Sequence, residues 1–237
     1  MVVGNLERHI YSSSDGTNWT LRSTCASSCK ALTYGNGKFV VGSSQSLKTS
    51  SDGSTWSSHQ FSSVSNAYLY GLTFGNNTFV GVGYSGFVLT SSDNGTSWDN
   101  RTSGTTKIIK RVTFGNDTFV AVGLDGTILT SSDNGTSWDN RTSGTTNHLY
   151  GGIYSEKNAM VGGSGTVVYT SNNGTSWTTW SASSMTTDVF GVAYGSSTWV
   201  YVGRSGTIYT AGNDDDDVTA RTSGTTESLR RVYYLGE

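Results

Sequence analysis

Proline is absent from this chain, and cysteine, histidine and methionine are scarce: two, three and three in 237 residues. The two cysteines form no second pair and the three histidines are far apart, at His9, His59 and His148. That argues against the Cys/His clusters that bind zinc, and neither a metal nor a cofactor is expected. Charge is also sparse, at 14% of residues with a formal net charge of −2. A nonspecific nucleic-acid binder needs a net basic face, so that partner is not expected. No apolar run approaches the ~20 residues of a membrane span, so no membrane insertion is expected. The opening "MVVGNLERHI" has neither the basic start nor the apolar stretch of a signal peptide.

What is abundant is glycine, at 31, together with Tyr, Trp, Phe, Thr and Val. Turn formers beside β-branched and aromatic residues indicate an all-β protein. One stretch occurs twice without a change: "LTSSDNGTSWDNRTSGTT" runs from Leu89 to Thr106 and again from Leu129 to Thr146. It belongs to a longer unit, "RVTFGNDTFVAVGLDGTILTSSDNGTSWDNRTSGTT", from Arg111 to Thr146. Four short strands are legible in it: "RVTF", "TFVAVG", "TILTS" and "TSWDNRT", each ended by turn residues. Tryptophan marks the fourth: Trp19, Trp56, Trp98, Trp138 and Trp177 are 37, 42, 40 and 39 residues apart. A degenerate sixth copy has Val218 where tryptophan is expected.

Six units of about 40 residues, each of four strands, are the arithmetic of a six-bladed β-propeller. The chain ends "RRVYYLGE", a first strand alone, and begins with what reads as second, third and fourth strands. Joined, the two ends rebuild one unit. The expectation is one domain over residues 1–237, a ring closed by a blade shared between the termini, with no open sheet edge there.

The segments "SSDGTNW", "SSDGSTW", "SSDNGTSW" (twice) and "SNNGTSW" resemble the Asp-box, or BNR, repeat, Ser-x-Asp-x-Gly-x-Thr-Trp. The resemblance covers the whole chain. It is most similar to uncharacterised bacterial and phage Asp-box propellers, and more distantly to those of sialidases and a photosystem II assembly factor. The residues carry their own physical reading. Asp15, Asp52, Asp93 and Asp133 stand at tight turns, where a carboxylate accepts backbone N–H bonds. Gly16, Gly53, Gly95 and Gly135 supply the positive φ such turns use. The tryptophans are expected to bury a large ring, worth ~2–3 kcal/mol each.

Loops on a rigid scaffold are where function concentrates. The loop face should carry "RTSGTT" and the starts of the first strands. Arg22, Arg101, Arg141 and Arg221 recur at the end of the fourth strand, where His59, Gln60 and Trp180 replace arginine in other units. Such arginines suit carboxylate, phosphate or sugar hydroxyls, or else simply bond loop carbonyls or pack on the next blade. The first strands start "KAL", "YGL", "KRV", "YGG", "FGV" and "RRV". Lys30, Tyr70, Lys110, Arg111, Tyr150, Phe190, Arg230 and Arg231 would form a basic and aromatic mouth, suited to an anionic glycan or an acidic side chain. Solvated charges around a water-filled channel are the plainer alternative.

Cys25 and Cys29 allow a small disulfide, which would imply an oxidising location; free thiols or half a zinc site are the alternatives. Asp214 to Asp217 allow a calcium site, or an exposed, decayed turn. A sialidase would add an Arg-Ile-Pro motif, which a chain without proline lacks, and a Tyr nucleophile with a Glu partner. Glu is limited to Glu7, Glu156, Glu227 and Glu237. A glycosidase carboxylate pair has only Asp125, Asp188 and Glu227 to draw on, and they lie on different blades. No catalysis is expected. The expected function is binding, of a glycan first and a protein surface second, by a monomer outside the cell or on a virion. A structural or assembly protein, such as a phage particle component, is the rival reading.

Overall fold

A computed structural model describes residues 2–4, 8–61, 67–154, 159–165, 167–171, 174–181, 185–212 and 218–233. Among these the strands form six antiparallel sheets, and no α-helix occurs. The first sheet holds Val2–Gly4 (β1), His9–Ser12 (β2) and Thr20–Thr24 (β3). The second holds Ala31–Gly35 (β4), Lys38–Gly42 (β5), Ser46–Ser50 (β6) and Ser57–Gln60 (β7). The third holds Leu69–Gly75 (β8), Thr78–Gly83 (β9), Val88–Ser91 (β10) and Asp99–Arg101 (β11). Then come Ile109–Gly115 (β12), Thr118–Gly123 (β13), Ile128–Ser131 (β14) and Asp139–Arg141 (β15). Leu149–Tyr154 (β16), Ala159–Gly163 (β17), Val167–Ser171 (β18) and Thr178–Ser181 (β19) form the fifth. Val189–Gly195 (β20), Thr198–Gly203 (β21), Ile208–Ala211 (β22) and Thr219–Arg221 (β23) form the sixth. Every sheet is a meander in chain order. The connections within sheets have at most seven residues, and parallel neighbours would need a crossover of about a dozen or more.

The chain divides into two compact units. One comprises Met1–Phe119 with Ser131–Asp139, the other Val120–Thr130 with Asn140–Glu237. In the first unit, apolar residues of consecutive sheets meet face to face. Ala31, Val40 and Leu47 pack with Leu69, Leu72, Phe79 and Leu89, while Ile10 packs with Cys25, Cys29 and Val41. In the second unit, Val120, Val122 and Ile128 pack with Leu149 and Val161, and Val189, Trp199 and Tyr201 form a further cluster. The middle strands read as unbroken apolar runs because both of their faces are covered: β9 is buried from end to end.

The first strands of consecutive sheets lie side by side, β8 between β4 and β12 in the first unit and β16 beside β20 in the second. Glycine makes the approach possible. A Cβ on Gly75 would stand 2.1 Å from Cγ of Phe114, and one on Gly35 equally close to Phe74.

The tryptophans depart from expectation. None is in the fourth strand: Trp19, Trp56, Trp98, Trp138 and Trp177 each end the preceding turn, one residue before β3, β7, β11, β15 and β19. Nor are the rings fully buried. Trp19 is 37% exposed and the other four are half-buried. The cause is a tether, since each indole N–H donates to the carbonyl of the turn glycine three residues earlier, at 3.1–3.3 Å. The ring is held at the rim and can present only one face to the core.

Candidate functional site

The Ser/Asp turns are built as closed hydrogen-bond knots. The backbone N–H groups of Thr17 and Asn18 both donate to Asp15 Oδ1 at 2.8 Å, and Gly16 N–H donates to Ser13 Oγ at 2.8 Å. Asp52 repeats the pattern with Ser54, Thr55 and Ser50. In the copied stretch an extra asparagine shifts the donors by one residue. Ser97 then donates to Asp93 from both N–H and Oγ, and Ser137 does the same to Asp133. Bonds to the charged form stabilise it. Backbone N–H groups of Thr55 and Ser54 hold Asp52 at about 2. The Ser97 hydroxyl and N–H hold Asp93 at about 2. At Asp133 burial pushes upward, but bonds from Ser137 and Ser131 prevail and the value is again about 2. Asp15 is lowered further, chiefly by the Asn18 N–H. These carboxylates are spent on the turn.

The recurrent arginines bond within their own sheet. Nε of Arg101, Arg141 and Arg221 donates to Oγ1 of Thr90, Thr130 and Thr210, at 2.9, 2.7 and 2.9 Å. Arg22 does the same to Ser12 Oγ at 2.9 Å, and His59 Nε2 stands 3.2 Å from Thr49 Oγ1. Arg101 also pairs with Asp99 at 2.9 Å. Each guanidinium is therefore oriented by a third-strand hydroxyl of its own sheet. Arg221 is exposed and, with Glu227, lines an open groove of about 810 Å3.

The starts of the first strands hold the strongest concentration of charge and rings. At Tyr70, Tyr150 and Phe190 the pairing with the second strand slips by one residue. Each is thus the extra residue of a β-bulge, a device that re-aims a side chain. In the first unit, Lys30 Nζ lies 4.8 Å and Lys110 Nζ 4.6 Å from the centroid of the Tyr70 ring. Lys30 is also 5.7 Å from the Tyr68 ring, which meets Tyr84 edge-on at 6.3 Å. Arg111 donates to the carbonyl of the bulged Tyr70 at 2.8 Å. Burial, then the charges of Lys30 and Arg111, lower the pKa of Lys110. Burial also raises the Tyr70 hydroxyl. No carboxylate among the described residues pairs with Lys110.

The second unit repeats the theme. Tyr150 meets Phe190 edge-on at 5.3 Å, and the Arg230 guanidinium lies 5.5 Å from the Phe190 ring. A Cβ on Gly191 would meet Arg231 Cα at 3.0 Å, as one on Gly71 would meet Arg111 Cα at 3.0 Å. "RRV" therefore lies against β20 as "KRV" lies against β8. Tyr150 also accepts from Ser164 at 3.2 Å.

Three features of these loops escaped the sequence reading. Asp188 accepts from Arg204 at 2.6 Å and from the Gly165 N–H at 2.8 Å, so it ties one sheet's loop to the next. His148 Nδ1 receives the Asp125 N–H at 3.1 Å. Tyr68 and Tyr84 join the lysine cluster from positions that carry no repeated signal.

Cys25 and Cys29 are joined by a disulfide, both sulfurs buried beside Ile10 and Val41. It pins the loop that ends at Lys30, whose N–H donates to the Gly42 carbonyl at 3.1 Å. Among the described residues no three His, Cys, Asp or Glu side chains gather in a way that could hold a metal ion. No helix there is long and apolar enough to cross a membrane. Asp214 to Asp217, Glu7, Glu156 and Glu237 lie outside the described residues, as do the Trp180 side chain and the last four residues of the proposed closing strand.

No protein-family model matches the sequence, and no curated protein matches it. Solved structures do. YCF48 bound to D1 peptide superposes with a TM-score of 0.73 at 14% identity, over 92% of this chain and 76% of that one. The WD40 repeats of RRP9 superpose with a TM-score of 0.76 at 9% identity, over 98% and 79%. Both are β-propellers, and at such low identity the likeness shows the fold alone: this all-β repeat chain has a β-propeller fold.

Proposed function

We propose that this chain is a non-enzymatic recognition module that takes an acidic segment of a protein surface at the Lys30–Tyr70–Lys110 cluster. The observation that carries the reading is two ammonium groups over one tyrosine ring, with Arg111 beside them and Lys110 lacking a carboxylate partner among the described residues. Burial lowers the pKa of Lys110, and the like charges of Lys30 and Arg111 lower it further. An incoming carboxylate relieves that repulsion and adds charge-assisted bonds. The propeller fold agrees with this reading, since YCF48 is a propeller with a peptide bound to it.

Around this core stand the finer readings. The six sheets are read as six blades, the three-stranded first one completed by the C-terminal strand, and the Ser/Asp turns as Asp-boxes. The buried disulfide favours an oxidising compartment or a virion surface. The module is read as a monomer.

Fluorescence polarisation with a labelled octapeptide of alternating Asp and Gly tests the central reading, with the Asn/Gly peptide as control. Binding should weaken as salt rises, and Lys30→Ala/Lys110→Ala should lower affinity about tenfold or more. Equal binding of both peptides, or none, refutes it. Retention only of sulfated or sialylated oligosaccharides would move the same cluster to a glycan.

A further inference from the structure

The second unit holds a cleft of about 410 Å3 away from the lysine–tyrosine cluster. One wall is Asn140, Arg141 and Thr142, at the end of the outer strand β15. The other is Thr175, Ser176 and Trp177, the end of the next sheet's turn. Gly144 leaves its corner without a side chain, at φ +73°.

The lining chemistry is distinctive. Trp177 is half-buried, its inner part against Val120, Ile128 and Leu149, its N–H fixed to the Gly174 carbonyl at 3.2 Å. That is a rigid, flat apolar surface at the rim. Arg141 is held by its Nε bond to Thr130, so the guanidinium plane is set before any ligand arrives. An exposed amide and hydroxyls complete the wall.

We propose that this cleft is a saccharide-binding subsite, in which a sugar ring lays its C–H face on the Trp177 indole and its hydroxyls bond Arg141, Asn140 and Thr142. A tryptophan offers an apolar face with a polar edge, and a planar guanidinium with an amide matches paired hydroxyls. The volume lies in the range of small-ligand pockets and suits one or two sugar rings. One wall comes from the copied text, and the other matches its "GTSW" in the unit that follows. "DNRTSG" of one copy faces "GTSW" of the next unit, and the same residue types recur as Asn100, Arg101 and Thr102 with Thr136, Ser137 and Trp138. Copying a whole unit therefore copies both halves of the subsite, and repeated weak sites bind arrays of sugars with avidity. The proposal is independent of the peptide reading, which uses other residues.

Saturation-transfer NMR on the full chain tests it, with N-acetylglucosamine, galactose, mannose, fucose and N-acetylneuraminic acid each at millimolar concentration. At least one sugar should show transfer. Asn100→Ala/Asn140→Ala/Arg101→Ala/Arg141→Ala removes two ligand bonds per site and should weaken binding about tenfold or more. Thr102→Trp/Thr142→Trp, which fills the cleft and its repeat and leaves both arginines in place, should weaken it too, with the circular dichroism spectrum unchanged in both variants. Transfer to no sugar overturns the proposal. So does transfer that survives both variants, or transfer lost in Lys30→Ala/Lys110→Ala, which would give the sugar to the mouth.

Discussion

Replacing Gly75 by alanine places a methyl group where the Phe114 ring now sits. The added Cβ would be 2.1 Å from Cγ, 2.2 Å from Cδ1 and 2.6 Å from Cδ2. These atoms lie near the root of the side chain, so the ring cannot swing clear by turning its tip. It must leave its place, and it also packs on Phe119 at a centroid distance of 4.6 Å. Overpacking of this kind costs about 3 kcal/mol, the upper part of the usual range. Phe114 is half-buried, so Phe114→Ala alone should cost about 2 kcal/mol, below the range for a fully buried ring. In Gly75→Ala/Phe114→Ala the new methyl enters space the ring has vacated. The double variant should then lose only about 2 kcal/mol, roughly 3 kcal/mol short of the sum. Urea unfolding of the four proteins measures the cycle, and the Gly75→Ala melting temperature should fall roughly 6–12 °C. Additivity within about 0.5 kcal/mol would refute the view that this glycine exists for the neighbouring sheet's ring.

Acid should unfold the protein through its turns. Asp52, Asp93 and Asp133 sit at about 2 against an ordinary 3.8, so their contribution is complete above pH 3.8 and is lost as pH falls towards 2. Asp52→Asn/Asp93→Asn/Asp133→Asn should be less stable at pH 7 and show a flatter decline between pH 4 and pH 2 in a melting series. Cys25→Ser/Cys29→Ser should lose about 2 kcal/mol, because the closed loop is short. The same variant should weaken acidic-peptide binding in the polarisation assay, since Lys30 adjoins Cys29. Arg101→Ala and Arg141→Ala should each cost about 1 kcal/mol in urea midpoint measurements through the lost threonine bond, and the exposed Arg221→Ala less.

Much of the local structure was legible beforehand. The "GND" and "SDNG" punctuation located the turns, because Asp and Gly act on backbone groups two to four residues away. The tryptophan spacing was legible, but neither the place of each ring just outside the fourth strand nor its burial was. A repeated Trp signals a ring in contact with the core, and the indole tether to the turn glycine, which limits that contact, has no pattern of its own. The arginines show a similar limit. Their recurrence marked them, yet whether the guanidinium faces a ligand or a threonine depends on the pairing of the third and fourth strands.

By itself, the sequence determined the repeat, the four-strand unit and the chemistry of each turn, since all three rest on interactions between near neighbours in the chain. The tertiary structure alone decided the bulges that re-aim Tyr70, Tyr150 and Phe190, the meeting of two lysines over one ring, and the cleft beside Trp177. The bulges depend on the pairing of first and second strands, and the lysine pair and the cleft on residues of consecutive units. Arg111 and the Tyr70 carbonyl it grips are 41 positions apart. At that separation hydrophobic periodicity and turn signals carry no information, and only the packing of one sheet on the next brings such groups together.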